Sequence, residues 1–199
     1  STSAAAEDSS IASVAAADTA SAAGAGPYSL LESAKYFANL VTNNSPAYMS
    51  FVVKAYDSIY SLDKIDEMYQ EQYRDVVNTS FDGSKSFSQI NSLLTTTTAD
   101  LFEPEFLSIL QGSESHPLKD ALALNNVFDW KPAAPTRLYH DVQDEIVPYE
   151  NSVKALETMQ ANGATEVSLR DCPLNGHGAC ALPYVLDALS FLSIYAQDL

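Results

Sequence analysis

Two short segments in the last third of the sequence carry side chains suited to acid–base chemistry. Asp144 follows one run of residues with strand character, and His177 follows the next such run. A carboxylate that accepts a hydrogen bond from the Nδ1–H of histidine fixes the tautomer of the ring and stabilises its protonated form. The other ring nitrogen can then take a proton from a nucleophile and return it to a leaving group. Asp144 and His177 therefore predict a catalytic acid and a general base.

Each of these residues also has an ordinary structural interpretation. An Asp after a strand is often a turn former, and a His between glycines is often a surface loop residue. The occurrence of both types at the ends of strands favours catalysis over either alternative. Asp141 is a weaker rival to Asp144 as the acid. We expect His140 to pack under the acid loop and His116 to be structural or solvent-facing.

The elements around the acid and the histidine alternate between strand and helix. The pattern predicts a strand over 135–140, a helix over 151–161, a strand over 166–169 and a helix over 183–195. Short links between such elements are typical of parallel strands with right-handed crossovers. Because ligands and catalytic groups collect beyond the C-terminal ends of parallel strands, the two loops should lie side by side.

Upstream of these elements the composition changes twice. Residues 1–26 include 17 Ala or Ser, which predicts a disordered segment or linker over 1–10 and a small-residue strand within 11–23. Residues 28–130 are predicted to be helical, with amphipathic helices over 49–60 and 65–77 and shorter ones over 99–110 and 117–124. Ser61 and Asp63 are predicted caps between the first two helices.

Residues 135–189 resemble the C-terminal part of the α/β-hydrolase fold. That family has a His-Gly-x-x-Asp-x-x-Val-Pro acid loop and a Gly-His base loop. The matching residues here are His140, Asp144, Val147, Pro148, Gly176 and His177. The segments 23–28 and 125–132 resemble the departure to and the return from a cap in secreted lipase-like members. The resemblance implies an α/β fold: a partial α/β-hydrolase core of parallel strands and flanking helices over 11–27 and 131–199, with a large helical cap or lid over 28–130.

The sequence departs from this family in two ways. Asp141 stands where the family usually has Gly, which could strain the loop. More seriously, no pair of the seven glycines frames a serine as G-x-S-x-G, the pattern of the family's nucleophile, and the oxyanion-hole segment has no counterpart. Ser21 lacks this context and is not nominated. We therefore expect a lipase- or esterase-like serine hydrolase whose nucleophile lies upstream of this chain, and a 199-residue piece that is inactive alone.

Two other functions stay open at this stage. The chain could be a non-catalytic binding module that kept the fold, with its Tyr-rich helical segment as the contact surface. It could also belong to a serine peptidase of prolyl-oligopeptidase type, whose acid and base loops look similar. Fold analogy does not fix the substrate.

Composition and cysteine usage narrow the remaining possibilities. The net charge of −16 argues against nucleic-acid partners, and no apolar run reaches the ~18 residues of a transmembrane segment. No spacing of ligands predicts a metal, and no phosphate-binding loop predicts an organic cofactor, so we expect neither. Cys172 and Cys180 could be free thiols or a short disulfide around His177. The expected partner is a small ester or lipid substrate.

The compartment and the extent of the protein are expectations of the same kind. The chain begins with Ser1 and shows no signal peptide, so we expect it to be cut or processed. The acid-rich composition and the cysteine pair favour an extracytoplasmic location. The motif pattern indicates about half of a larger domain.

Overall fold

The computed structural model describes residues 19–172 and 174–196. Internal contacts divide the chain into two compact units, of which one comprises the chain up to Tyr28 and from Val127 onward. The other unit is Ser29–Asn126. The predicted linker over 1–10 and the first part of the predicted small-residue strand lie outside the described residues.

The first unit contains a parallel sheet. Its strands are β1 (Ser21–Gly24), β2 (Thr136–His140) and β3 (Val167–Asp171), in the order β1-β2-β3. Ser21 is in register with Thr136, and Thr136 is in register with Val167. Because all pairs are parallel, the loops after Gly24, His140 and Asp171 lie at the same edge of the sheet.

Ten helices are assigned in the part of the chain that the structure describes. Those of the second unit are α1 (Leu30–Ala38), α2 (Pro46–Ile59), α3 (Ile65–Met68), α4 (Glu71–Thr79), α5 (Phe87–Asn91), α6 (Thr98–Leu101), α7 (Pro104–Gln111) and α8 (Pro117–Leu124). Those of the first unit are α9 (Glu150–Ala161) and α10 (Ala181–Ser193). None of them is both long and apolar enough to cross a membrane.

Alternating side chains of β2 pack against helices on the two faces of the sheet. Leu138 lies in a buried cluster with Ala155 and Met159 of α9. On the other face, the Tyr139 ring lies 4.8 Å from the ring of Tyr184 in α10. This period of two is the reason why a short strand can anchor two helices.

The two points at which the chain enters and leaves the second unit are hydrogen-bonded to each other. The carbonyl of Tyr28 accepts a hydrogen bond of 2.8 Å from the backbone N–H of Val127. The chain therefore leaves the first unit after β1 and returns to it at almost the same point before β2.

Two predicted helices of the second unit are interrupted, each at an aromatic residue. Tyr69 separates α3 from α4, and Phe102 separates α6 from α7. Both residues are extended and pair with each other in an antiparallel bridge, while Glu103 N–H donates to the Met68 carbonyl. The rings of Tyr69 and Phe102 are almost fully buried and 4.7 Å apart. The predictions of continuous helices over 65–77 and 99–110 were wrong, because tertiary pairing at these aromatic residues overrides helical periodicity.

The sequence predicted that Ser61 and Asp63 cap the helix that follows them, and this prediction was wrong. Both have positive φ, and α3 has no side-chain cap. Instead, the buried carboxylate of Asp57 accepts a hydrogen bond from the N–H of Lys64 at 2.8 Å. Ser61 and Asp63 thus lie in a tight turn with left-handed backbone, and Asp57 of α2 holds the N–H of the residue just before α3.

A buried lysine closes the end of α7. The Nζ atom of Lys119 donates to the carbonyls of Ile109, Gly112 and Glu114 at 2.7–3.0 Å. These carbonyls lie in the last turn of α7 and just beyond it. A cation there satisfies orphan acceptors and opposes the helix dipole.

Candidate active site

The acid loop begins where β2 ends and holds Asp144 by its own backbone. Oδ1 of Asp144 accepts hydrogen bonds from the N–H groups of Ile146 and Val147, each at 2.8 Å. The side chain is almost fully buried. Two backbone donors on one oxygen leave Oδ2 as the atom that can address another side chain.

His177 is the side chain that meets Oδ2. Its Nδ1 lies 2.7 Å from Oδ2 of Asp144. About a third of the imidazole, 34%, is exposed. This arrangement directs the proton of Nδ1 to the carboxylate and leaves Nε2 for proton transfer. The structure thus brings together the predicted acid and the predicted base, whose catalytic roles stay predictions.

Two further carboxylates of the acid loop bind the backbone of the His177 loop. Asp141 is buried, and its Oδ2 accepts a short hydrogen bond from the N–H of Gly176. Oε2 of Glu145 accepts from the N–H of His177 at 3.1 Å. Asp141 therefore faces the backbone rather than the imidazole. Its φ is not positive, so the expected loop strain is absent.

The sequence analysis missed Glu145 and the bonding role of Asp141. The signal that could have found them is the crowding of three acidic residues into five positions, from Asp141 to Glu145. An acceptor for two successive N–H groups was needed because the base loop turns tightly. Which acidic residue accepts from which N–H depends on how two loops distant in sequence pack together.

Glycine is required at one side of the histidine. Gly176 has φ +108°, and a Cβ there would lie 3.2 Å from Oε2 of Glu145. Gly178 meets nothing within 4 Å. The loop therefore needs glycine for its backbone conformation before His177 and not after it.

A disulfide encloses the histidine loop. Cys172 and Cys180 are bonded and lie eight positions apart in the sequence. The bond ties the end of β3 to the start of α10, and His177 lies within the short ring it closes. Of the two alternatives that the sequence left open, the structure has the disulfide.

The charge of Asp144 is stabilised by its neighbours. Burial raises the pKa of this carboxyl, but hydrogen bonds from His140, from the Val147 N–H, from His177 and from the Ile146 N–H outweigh it and lower the pKa to about 2. The acid is therefore a carboxylate at any pH at which His177 could act as a base.

The other two histidines have structural contacts. His140 is buried at the end of β2, under the acid loop as the sequence predicts. In the second unit, His116 is the N-cap of α8, and its Nδ1 accepts from the N–H of Leu118. Burial lowers the pKa of His116.

A cavity of about 370 Å³ opens beside His177 in the first unit. Its lining includes Gly24 and Ala25 at the end of β1, the two cysteines, and Tyr184 of α10. Within residues 19–172 and 174–196, no group of three His, Cys, Asp or Glu residues could hold a metal ion.

Several solved structures have a fold similar to that of this chain. A mutant of the rice cell wall degrading esterase LipA from Xanthomonas oryzae superposes with a TM-score of 0.77 at 24% identity, covering 89% of this chain and 51% of that one. A candidate hydrolase from Legionella pneumophila gives 0.80 at 21% identity, covering 90% and 50%. Candida antarctica lipase A in its closed state gives 0.70 at 15% identity, covering 88% and 41%. No family model and no curated protein matches the sequence.

The chain has the C-terminal part of an α/β-hydrolase fold. It spans about half the length of the solved structures that it matches. The predicted fold class is confirmed: a parallel sheet with flanking helices, into which a helical segment is inserted between β1 and β2. Asp144 and His177 lie on the loops that follow β2 and β3, at the C-terminal edge of this parallel sheet.

Proposed function

We propose that this chain supplies the acid and the general base of a serine carboxylic-ester hydrolase, with Asp144 orienting His177. The observation that carries this proposal is the 2.7 Å contact between Nδ1 of His177 and Oδ2 of Asp144 at the catalytic edge of an α/β-hydrolase sheet. His177 would take the proton of a serine hydroxyl through Nε2 and later give it to the leaving alcohol. The substrate class is a small ester or a lipid ester.

The serine would come from chain upstream of this sequence, because two surfaces of the first unit suit a neighbouring strand and helix. The N–H groups of Ser21 and Ala25 donate to the carbonyls of Pro135 and Tyr139, so the backbone groups of Ala22 and Gly24 are directed to the opposite edge of β1. The Ala22 carbonyl also accepts a hydrogen bond from the hydroxyl of Tyr184 at 3.2 Å. Beside this edge, α10 carries an exposed apolar stripe. Its residues, spaced i, i+3, i+4 and i+7, are Leu182, Val185, Leu186 and Leu189. A strand paired with β1 would end beside the cavity next to His177.

The same proposal includes an oxidising compartment. The Cys172–Cys180 disulfide lines the cavity, and disulfides persist in extracytoplasmic proteins. An extracytoplasmic location therefore agrees with the bond that encloses the base loop. The helical segment from α1 to α8 would be the cap or lid of this hydrolase.

The test uses the parent open reading frame and p-nitrophenyl butyrate and octanoate as substrates. We expect ester hydrolysis that falls by at least ~1,000-fold in His177→Ala and in Asp144→Asn. The control variant is Glu157→Gln, which changes an exposed carboxylate on α9 and should keep full activity. A fully active His177→Ala parent would refute the proposal. Cleavage of prolyl p-nitroanilides but not of esters would assign a peptidase instead.

The isolated 199-residue chain provides a second test. We expect no turnover of either ester, because the chain has an acid and a base but no G-x-S-x-G nucleophile. Turnover by the purified chain would show that its chemistry does not depend on upstream sequence.

A further inference from the structure

A second histidine lies directly behind the acid. Nε2 of His140 is 2.9 Å from the carbonyl oxygen of Val147 and 3.3 Å from Oδ2 of Asp144. Its Nδ1 is 2.7 Å from Oγ of Ser152 in α9. The side chain of His140 is 0% exposed, and Ser152 is equally buried. Oδ2 of Asp144 therefore has an imidazole on each side, His177 towards the cavity and His140 towards the protein interior.

The partners of His140 determine where its proton is. A carbonyl oxygen and a carboxylate oxygen can only accept hydrogen bonds, so Nε2 must carry a proton. Ser152 can donate its hydroxyl proton to Nδ1, which makes Nδ1 the acceptor. The two acceptor oxygens thus select the tautomer that directs an N–H at the Val147 carbonyl and at the acid, and the Ser152 hydroxyl completes it at Nδ1.

The peptide groups of Val147 link His140 to Asp144 by a second route. Its N–H donates to Oδ1 of Asp144, and its carbonyl accepts from His140. His140 therefore fixes the peptide group that in turn holds one carboxylate oxygen, and it touches the other oxygen directly. Both oxygens of the acid are oriented by the same buried ring.

We propose that His140, whose Nε2–H is directed by the Val147 carbonyl and whose Nδ1 pairs with Ser152, is a positioning residue that orients the Asp144 carboxylate and shares it with His177. The catalytic value of this role rests on the proposed function, but the orientation of Asp144 by His140 can be measured without any reaction. The side chain of His140 is fully buried, so it does not reach a substrate directly. It acts through Asp144, as outer-shell hydrogen bonds fix the orientation of functional groups.

Other charged and titratable groups surround the acid and bear on any titration of it. The acid loop contributes Asp141 and Glu145. The end of β3 contributes Asp171, which accepts a hydrogen bond from Tyr149 at 2.6 Å, together with Arg170. From α10, Asp187 also lines the cavity. The Tyr149 ring packs edge-on against His140 with centroids 5.7 Å apart, so the comparison of Met and Gln at position 140, which both remove that ring contact, isolates the contribution of the N–H donor.

The test is nuclear magnetic resonance on the 199-residue chain, which has only three histidines. In the unaltered chain, ring ¹⁵N shifts should show His140 protonated at Nε2 and accepting at Nδ1. In His140→Met, which removes the donor, the Asp144 ¹³Cγ titration should move up by about one pH unit from a pKa of about 2. The low-field Nδ1–H resonance of His177 should broaden or shift. His140→Gln, whose amide N–H can replace Nε2–H, should restore both signals.

Each result supports or overturns the proposal. An unaltered chain with the proton of His140 on Nδ1 would overturn it, and this measurement needs no variant to fold. An Asp144 titration that is the same in His140→Met as in the unaltered chain would also overturn it, as would equal shifts in the Met and Gln variants. Failure of the parent protein to hydrolyse esters would refute the proposed function and leave these spectra unaffected. If the parent is active, His140→Met should lower kcat by about 10-fold to 100-fold with KM unchanged.

Discussion

Protonation of Asp144 should destabilise the chain by an amount that can be worked out from the site. The pKa is about 2 in the folded chain, against an ordinary value of 3.8. Because the folded pKa is the lower one, the ionised acid contributes stability above pH 3.8, and this contribution is lost as pH falls through 2. The contribution is about 2 kcal/mol at pH 5 and falls to about 1 kcal/mol at pH 2.5.

The assay is urea denaturation of the 199-residue chain and of Asp144→Asn at both pH values. Many carboxylates titrate in this range, and the comparison cancels those that the two proteins share. The gap in unfolding free energy between them should narrow by about 1–2 kcal/mol from pH 5 to pH 2.5. Glu157→Gln, at an exposed position on α9, should show a small and constant gap. A gap of equal size at both pH values for Asp144→Asn would refute the reasoning, because the residue would then stabilise through shape rather than charge.

The remaining predictions concern stability and are checked by urea or thermal denaturation. Gly176→Ala should cost at least ~1 kcal/mol because of its positive φ, whereas Gly178→Ala should change stability by less than ~0.5 kcal/mol; equal effects would contradict the conformational argument. Dithiothreitol should lower the unfolding free energy by about 2.5 kcal/mol through the opening of the Cys172–Cys180 ring, and a double Ser variant should not respond. Lys119→Met should cost about 2–3 kcal/mol, since three buried carbonyls lose their donor; a near-neutral result would mean that water replaces it.

The sequence predicts the first unit well because its pattern is local. β2 is a short strand preceded by Pro135, β3 alternates apolar and polar residues, and α9 and α10 follow with helical spacing. The acid and the base could be singled out because each follows such a strand. Their contact follows from parallel pairing, which places the ends of β2 and β3 at one edge.

The parts that escaped prediction depend on contacts between distant segments. Tyr69 has helix-compatible neighbours, and its pairing with Phe102 makes it extended. At Phe102 the pairing acts together with Pro104, which begins α7 and disfavours a helical residue before it. Ser152 looks like an ordinary residue of an amphipathic helix, and its contact with His140 requires the register of α9 against the end of β2. Glu145 likewise binds an N–H that lies on another loop. Sequence periodicity carries no information on such pairings.

The hydrogen bond between Tyr28 and Val127 has a consequence for how such a protein can diversify. The residues from Ser29 to Asn126 form one insertion between β1 and β2, and its two ends meet at this hydrogen bond. A module attached in this way can be lengthened, exchanged or deleted by recombination without a change in strand register, because loop closure depends on its ends and only weakly on its length. A short turn grafted between Tyr28 and Val127 should therefore yield a minimal scaffold that still presents Asp144 and His177 to each other.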